Sequence, residues 1–181
     1  MELKENMILL DQAPATKKEA IRLAGELLVK EGCVDERYID SMIKRNEDVS
    51  TYMGNFIAIP HGTDEGKRFI KKTGISVVQV PLGVDFSNDE QVENLVTVVF
   101  GIAGANNEHL ELLSQIALYC SDVSNVAKLA DATQKIVNDE QFIDFVEKKL
   151  KMAPVDSTSE YAVRYIEESS LRNKAIIGQR E

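Results

Sequence analysis

The run Leu95-Val-Thr-Val-Val-Phe-Gly-Ile-Ala103 is the clearest indication of the fold in this chain. Apart from Thr97, it holds only apolar residues and glycine, with no polar residue at every second position. A continuous apolar run of this kind is typical of a β-strand that is covered on both faces. Two shorter strand-like runs precede it, Phe56–Ile59 and Ile75–Val80, and each is predicted to end at the proline that follows it.

Helical patterns lie before these strands. Thr16 and Glu19 have the spacing of a capping box, in which each side chain accepts from a free backbone N–H at the start of a helix. Apolar residues then recur at helical spacing until Gly32, which is predicted to end the helix. A second helical pattern covers Asp35–Arg45.

Further helices are predicted after the long strand. One begins after Asn107, and two shorter ones cover Val123–Ala130 and Asp139–Leu150. Strands and helices mixed in this order predict an α/β fold with a central mixed β-sheet flanked by helices on both sides, in one domain plus a C-terminal extension. The apolar side of the first of these helices is predicted to consist of Leu110, Leu113, Ile116, Ala117 and Cys120.

The composition changes near residue 150, and we place the domain in residues 1–150 and a linker with a short helical extension in 151–181. Residues 152–159 are rich in small and polar residues and include Pro154, as expected of a linker. Two interpretations of the segment after it are open: a helix that packs on the domain or on a partner, or a frayed extension. The apolar side of that helix would be formed by Tyr161, Ala162, Tyr165 and Ile166.

Composition excludes several functions. The 181 residues include 21 Lys and Arg against 30 Asp and Glu, which gives a net charge of −9. An acidic chain is a poor partner for nucleic acid, whose binding needs a basic face. No apolar run approaches the roughly 18–20 residues that span a bilayer, and no signal peptide is recognisable at the N-terminus. These features predict a cytoplasmic protein.

Cysteine and histidine are scarce. Cys33 and Cys120 lie far apart, so we expect two reduced, buried thiols. His61 and His109 are the two histidines of the sequence. This set is too small for structural zinc, and we expect no metal and no cofactor.

His61 is the first candidate for chemistry. It follows a strand-like run directly, between Pro60, which cannot continue the strand, and Gly62, which lets another group approach the backbone. An imidazole exposed at a strand end is suited to accept a phosphoryl group or to act as a base. The alternative interpretation is a hydrogen-bonded histidine in a turn.

His109 and Arg45 are weaker candidates. His109 lies in the first turn of the predicted long helix, where backbone amides favour an anion, but the residues alone favour the alternative of a surface helix residue. Arg45 closes the second helical pattern, and its planar guanidinium suits phosphate binding. Many arginines in this position only complement the helix dipole.

Three segments together resemble a known family: Arg45-Asn46, the stretch from Met53 to Thr63 that ends in Ala-Ile-Pro-His-Gly-Thr, and Asn107–Leu110. They are similar to the mannitol/fructose-type IIA domain of the bacterial phosphoenolpyruvate-dependent sugar phosphotransferase system. The resemblance covers about residues 3–148. Thr51–Gly54 and Gly101–Gly104 look closer to the mannitol branch than to the fructose or nitrogen-regulatory branches.

The resemblance implies a site and partners. His61 would take a phosphoryl group from the carrier HPr and pass it to a cysteine on a IIB domain, for uptake of a sugar, mannitol, through the membrane domain IIC. His109 would help to hold the group, and Arg45 would offer positive charge to its oxygens. Neither a nucleotide nor a metal is implied. Two alternatives stay open: a regulatory phospho-switch with the same chemistry at His61, and a non-catalytic interaction module.

Overall fold

A computed structural model of the chain describes residues 5–131. The helix predicted at Asp139–Leu150 and the predicted extension 151–181 lie outside the described residues. Among residues 5–131, no helix is long and apolar enough to cross a membrane.

Four α-helices and five β-strands form the described part of the chain. The helices are α1 (Lys17–Lys30), α2 (Arg37–Asp48), α3 (Glu108–Cys120) and α4 (Val123–Asp131). The strands are β1 (Ile8–Leu9), β2 (Tyr52–Gly54), β3 (Ile57–Ala58), β4 (Gly74–Asp85) and β5 (Leu95–Ala103). Short 3₁₀ helices cover Glu5–Met7, Glu65–Phe69 and Ala105–Asn107.

The strands form one mixed sheet with β5 at its centre. Its order is β1-β4-β5-β3-β2, in which β5 is antiparallel to β4 and parallel to β3. All nine residues of β5 are buried, as its continuous apolar sequence predicts. The predicted mixed sheet is therefore confirmed.

Helices cover both faces of this sheet. On β4, the Ser76 hydroxyl donates to the carbonyl of Ala24 in α1, at 2.8 Å. The Gln79 side-chain amide donates to the carbonyls of Leu129 and Ala130 in α4, each at 3.0 Å. Residues an odd number of positions apart along a strand point to opposite faces, so α1 and α4 lie on opposite faces. The predicted flanking by helices on both sides is confirmed.

The ends of α1 follow the sequence signals. The backbone N–H of Glu19 donates to Thr16 Oγ1, so Thr16 is the N-cap. The Glu19 carboxylate accepts from the N–H of Ala15, one residue earlier than a regular capping box requires. At the other end Gly32 has a φ of +73°, the left-handed conformation that closes many helices.

Two strand predictions are wrong in their bounds. The predicted strand Phe56–Ile59 is shortened to β3, because Phe56 has a φ of +65° and belongs to the turn that joins β2 to β3. β4 does not end at Pro81 but continues to Asp85. Its pairing with β5 shifts register between Gln79 and Val84, and this irregularity accommodates a proline that has no N–H to donate.

The helix predictions also need correction. α2 continues three residues past Arg45. In α3 the predicted burial of Ile116 and Cys120 is confirmed, but Leu112 and Tyr119 are buried as well and Leu110 is 61% exposed. Leu110 lies about 200° around the helix from Leu112, which places it away from the sheet. The expected burial of two free cysteines, Cys33 and Cys120, is confirmed.

Candidate active site

One cavity collects the three residues that the sequence analysis singled out. Its volume is about 270 Å³, and it lies between α2, the loop after β3 and the start of α3. His61, His109 and Arg45 all line it. The other lining residues are Tyr38, Asp48, Gly62, Thr63, Asp64, Glu65, Lys67, Ile70 and Gly104.

His61 lies just beyond the end of β3, next to the central strand. Its backbone pairs in a parallel bridge with Ile102 of β5, whose N–H donates to the carbonyl of Pro60 at 3.0 Å. The imidazole Nδ1 is 2.8 Å from the carbonyl oxygen of Ile59. A carbonyl can only accept, so Nδ1 carries the proton and Nε2 of the neutral ring keeps a free electron pair.

The surroundings of His61 favour its neutral form. Partial burial lowers the pKa of His61 below its ordinary value, and the charges of Arg45 and His109 lower it further. The hydrogen bond to Ile59 acts in the opposite direction. The net effect leaves the imidazole uncharged near neutral pH, the form in which Nε2 is a nucleophile.

Tyr38 of α2 fixes the loop that carries His61. Its hydroxyl accepts from the N–H of Gly62 at 2.9 Å and donates to the carbonyl of Ile102 at 2.7 Å. Burial raises the pKa of Tyr38 to about 12, so the hydroxyl remains protonated and can donate. The loop is thereby linked to both α2 and β5.

Ser41, one turn along α2, makes a second set of contacts with the same loop. Its Oγ accepts from the N–H of Thr63 at 2.9 Å, and Thr63 Oγ1 accepts from the N–H of Gly66 at 3.2 Å. A Cβ on Gly62 would lie 2.4 Å from the Tyr38 ring and 2.8 Å from Ser41 Oγ. Glycine is therefore required at this position by the close approach of α2, as the sequence analysis expected.

His109 lies on the opposite side of the cavity, in the first turn of α3. The two residues before the helix, Asn106 and Asn107, have positive φ angles of 53° and 66°. Nδ1 of His109 is buried and has no hydrogen-bond partner. Burial and the charge of Lys67 lower the pKa of His109, while Asp64 raises it.

Arg45 lies in the last turn of α2. Its Nη1 donates to the carbonyl of Val49 at 2.6 Å, as expected of an arginine that completes a helix C-terminus. The same side chain lines the cavity and acts electrostatically on His61. Arg45 therefore completes the C-terminus of α2 and also lines the cavity, and its binding of a phosphate stays a prediction.

Several residues of the site were not predicted from the sequence: Tyr38, Thr63 and Lys67, which line the cavity, and Ser41, which contacts Thr63. A signal was present for two of them, because Tyr38, Ser41 and Arg45 recur at the i, i+3, i+7 spacing of one helix face. Nothing local in the sequence connects that face with a loop more than 20 residues away.

The arrangement is suited to covalent transfer of an anionic group through histidine. It combines a neutral imidazole with a free electron pair and the cationic or donor groups of Arg45, Lys67 and His109. Within residues 5–131, no three or more His, Cys, Asp or Glu side chains lie together in a way that could hold a metal ion.

A fold and site of this kind define a class of phosphoryl-transfer protein, and the comparisons with known proteins give the family. The family model for the phosphoenolpyruvate-dependent sugar phosphotransferase system, EIIA 2, matches residues 1–153. The chain belongs to this family. It is a phosphotransferase component, a IIA protein that carries phosphoryl groups toward a IIB partner.

Named relatives and a solved structure agree. The chain is 60% identical over 126 residues to the mannitol-specific phosphotransferase enzyme IIA component of Enterococcus faecalis, covering 70% of this chain and 86% of that protein. It is 53% identical over 130 residues to the corresponding component of Geobacillus stearothermophilus, covering 72% and 87%. Enzyme IIA of the Escherichia coli mannitol system, solved in complex with phosphorylated enzyme IIB, superposes with a TM-score of 0.72 at 37% identity, covering 83% and 97%.

Proposed function

We propose that this chain is the phosphoryl carrier of a mannitol uptake system and that Nε2 of His61 is the atom that carries the group. The observation that supports this choice of atom is the hydrogen bond from Nδ1 to the carbonyl of Ile59, 2.8 Å long. It places the proton on one ring nitrogen and leaves the other free to attack. HPr is the proposed donor, and a cysteine on a IIB domain is the proposed acceptor.

The transfer step requires no redox change. The bond between phosphorus and the donor nitrogen on HPr breaks as a bond between phosphorus and His61 Nε2 forms. The electron pair of the broken bond stays on the donor imidazole, so a donor ring that is protonated on its second nitrogen leaves as neutral imidazole. Nδ1 of His61 keeps its proton and its bond to Ile59 throughout.

Arg45 and His109 stabilise the charge of the transferring group in this proposal. Phosphoryl transfer depends mainly on positioning and on neutralising charge on the equatorial oxygens. Both side chains line the cavity that contains His61, and both act on its pKa. Donors held in place before the reaction are the kind of group that lowers the energy of such a transition state.

The names of the relatives support mannitol as the sugar. Two of them are mannitol-specific IIA components, and the Escherichia coli protein was captured with a phosphorylated IIB enzyme. We therefore place this chain in the cytoplasm, where it would meet HPr and IIB and associate with the membrane only indirectly, through IIC. We propose no nucleic acid among its partners.

Residues 1–150 would form the carrier domain, and 151–181 an extension. The match of the family model to residues 1–153 supports a boundary in this region.

The test is intact-mass spectrometry of the chain incubated with phosphoenolpyruvate, enzyme I and HPr. We expect the wild-type chain to gain one acid-labile phosphoryl group and His61→Ala to gain none, with an unchanged circular dichroism spectrum. Adding a IIB domain should then discharge the wild-type chain. Phosphorylation of His61→Ala would refute the assignment of the carrier residue.

Two other results would favour the alternatives. A wild-type chain that gains no phosphoryl group from competent HPr would favour an interaction module. A wild-type chain that is phosphorylated but never discharged by mannitol IIB would favour a regulatory switch.

A further inference from the structure

Lys67 and Asp64 form an ion pair at the edge of the cavity. The Lys67 ammonium is 3.1 Å from Asp64 Oδ1, and it also donates to Asn107 Oδ1 at 3.1 Å. Lys67 belongs to the 3₁₀ helix Glu65–Phe69, whereas Asn107 precedes the helix that carries His109. The ammonium therefore connects the loop of one histidine with the helix of the other.

This ion pair is exposed, so the Lys67 ammonium can exchange Asp64 for another anion at little cost in free energy. The Asp64 side chain is 91% exposed and that of Lys67 is 42% exposed. Exposed pairs of this kind contribute little to stability, because water and salt screen them and both side chains lose freedom. The pair is thus expected to stabilise the fold very little.

The charges of the ion pair act on groups that line the cavity. Lys67 lowers the pKa of Asp64 most strongly, and the charges of His109 and Arg45 lower it further. Lys67 in turn lowers the pKa of His109. The charge of Asp64 thus interacts with Lys67, Arg45 and His109, which all line the same cavity as His61.

We propose that Lys67 is a further phosphoryl-binding residue, whose ammonium is held by Asp64 in the unphosphorylated chain and moves to a phosphoryl oxygen when His61 is phosphorylated. This inference rests on the proposed function of His61. An ammonium group has three donors on a flexible stem, so Lys67 can keep Asn107 while it exchanges one anion for another. The incoming phosphoryl group carries more charge than a carboxylate and therefore competes well for it.

The proposal predicts opposite effects for the two partners of the ion pair. Removing the ammonium takes a cation away from the phosphoryl group and disfavours the phosphorylated chain. Removing the carboxylate takes away the competitor and favours the phosphorylated chain. A purely structural ion pair would predict the same direction for both changes, since either one breaks it.

The experiment measures the equilibrium of phosphoryl groups between HPr and this chain by intact mass, at fixed total concentrations. We expect Lys67→Met to lower the equilibrium constant for phosphorylation of the chain about tenfold. Asp64→Asn should raise it about threefold. Lys67→Arg keeps the charge and should stay within about threefold of wild type.

The matched control is Lys72→Met, an exposed lysine five residues further along that does not line the cavity. It should leave the equilibrium unchanged. Circular dichroism and urea unfolding check that each variant is folded, and should Lys67→Met fail to fold, the direction of Asp64→Asn still decides.

The outcomes separate this inference from the proposed function. If the wild-type chain is phosphorylated and Lys67→Met behaves like Lys72→Met, this inference alone is overturned. It is also overturned if Lys67→Met and Asp64→Asn shift the equilibrium in the same direction. A wild-type chain that HPr cannot phosphorylate overturns the proposed function and this inference together.

Discussion

The two sides of the cavity are built in different ways. On the side of His61, hydrogen bonds from α2 reach the backbone of the loop, through the Tyr38 hydroxyl and Ser41 Oγ. On the side of His109, the chain enters α3 through two residues with positive φ, and the buried Nδ1 of His109 has no hydrogen-bond partner. The contact between the two sides through Lys67 involves only side chains.

This difference matches the demands of the phosphoryl transfer that we propose at His61. The attacking atom must be held in line with the phosphorus, and a displacement of about 1 Å is costly. Lys67, in our proposal, instead exchanges Asp64 for a phosphoryl group that arrives and leaves, so its side chain must be free to move. The contacts of α2 with the loop backbone hold His61, whereas the exposed side-chain contacts of Lys67 can be exchanged.

The largest effect is expected from His109→Ala. Under our proposal, removing this donor should still allow phosphorylation of His61 but slow onward transfer to IIB by about a hundredfold. The free energy of unfolding should change by less than about 1 kcal/mol, because the lost ring has a buried nitrogen without a partner. Rapid-quench transfer assays and urea unfolding measure the two quantities.

Ser114→Ala is the matched control for that variant. Ser114 is an exposed residue of the same helix and does not line the cavity. It should leave transfer unchanged. Equal transfer rates for both variants would show that His109 takes no part in the transfer and that the two sides of the cavity do not differ in this way.

An intermediate effect is expected from Gly62→Ala on the other side. The added Cβ would lie 2.4 Å from the Tyr38 ring, so the loop must move. We expect the free energy of unfolding to fall by about 1–3 kcal/mol. Phosphorylation of His61 should slow roughly tenfold, since under our proposal the loop carries the attacking atom. Urea unfolding measures the free energy, and a time course of phosphorylation by phospho-HPr measures the rate.

Gly101→Ala serves as the control for overpacking away from the cavity. Its Cβ would lie 2.3 Å from Ser76 Oγ, beneath α1. It should destabilise the chain to a similar degree without slowing phosphorylation of the folded fraction. A similar slowing in both variants would mean that the phosphorylation rate follows stability and that the contacts of α2 with the His61 loop have no special role in it.

The smallest expected effect is the dependence of the free energy of unfolding on pH. His61 and His109 both have pKa values below their ordinary value of 6.5, chiefly because of burial. As the pH falls below 6.5, the two histidines bind protons in the unfolded chain before they do so in the folded chain. The contribution of these histidines to the free energy of unfolding is therefore lost as the pH drops through their folded pKa values. Above 6.5 this contribution is constant.

NMR titration of the imidazole signals checks both values. The His61 midpoint should lie below 6.5 and should rise in His109→Gln, because the charge of His109 lowers it in the wild-type chain. A His61 midpoint above 6.5 would contradict the neutral nucleophile.

Much of the fold could be predicted because it depends on local patterns. The buried strand Leu95–Ala103 and the cap at Thr16 both follow from residues that are close in sequence. The predictions failed where a local pattern competes with packing. β4 passes through Pro81 because its pairing shifts there, and Leu110 is exposed because α3 turns another side toward the sheet.

Local sequence was enough to predict the central strand, the ends of α1 and the histidine between Pro60 and Gly62, because each depends on the conformational limits of a few adjacent residues. The tertiary structure alone decided which groups surround that histidine. Tyr38 lies 24 residues from Gly62, and Lys67 lies 40 from Asn107. Contacts across such distances form only when helices pack on a common sheet, and no periodicity within either segment encodes them.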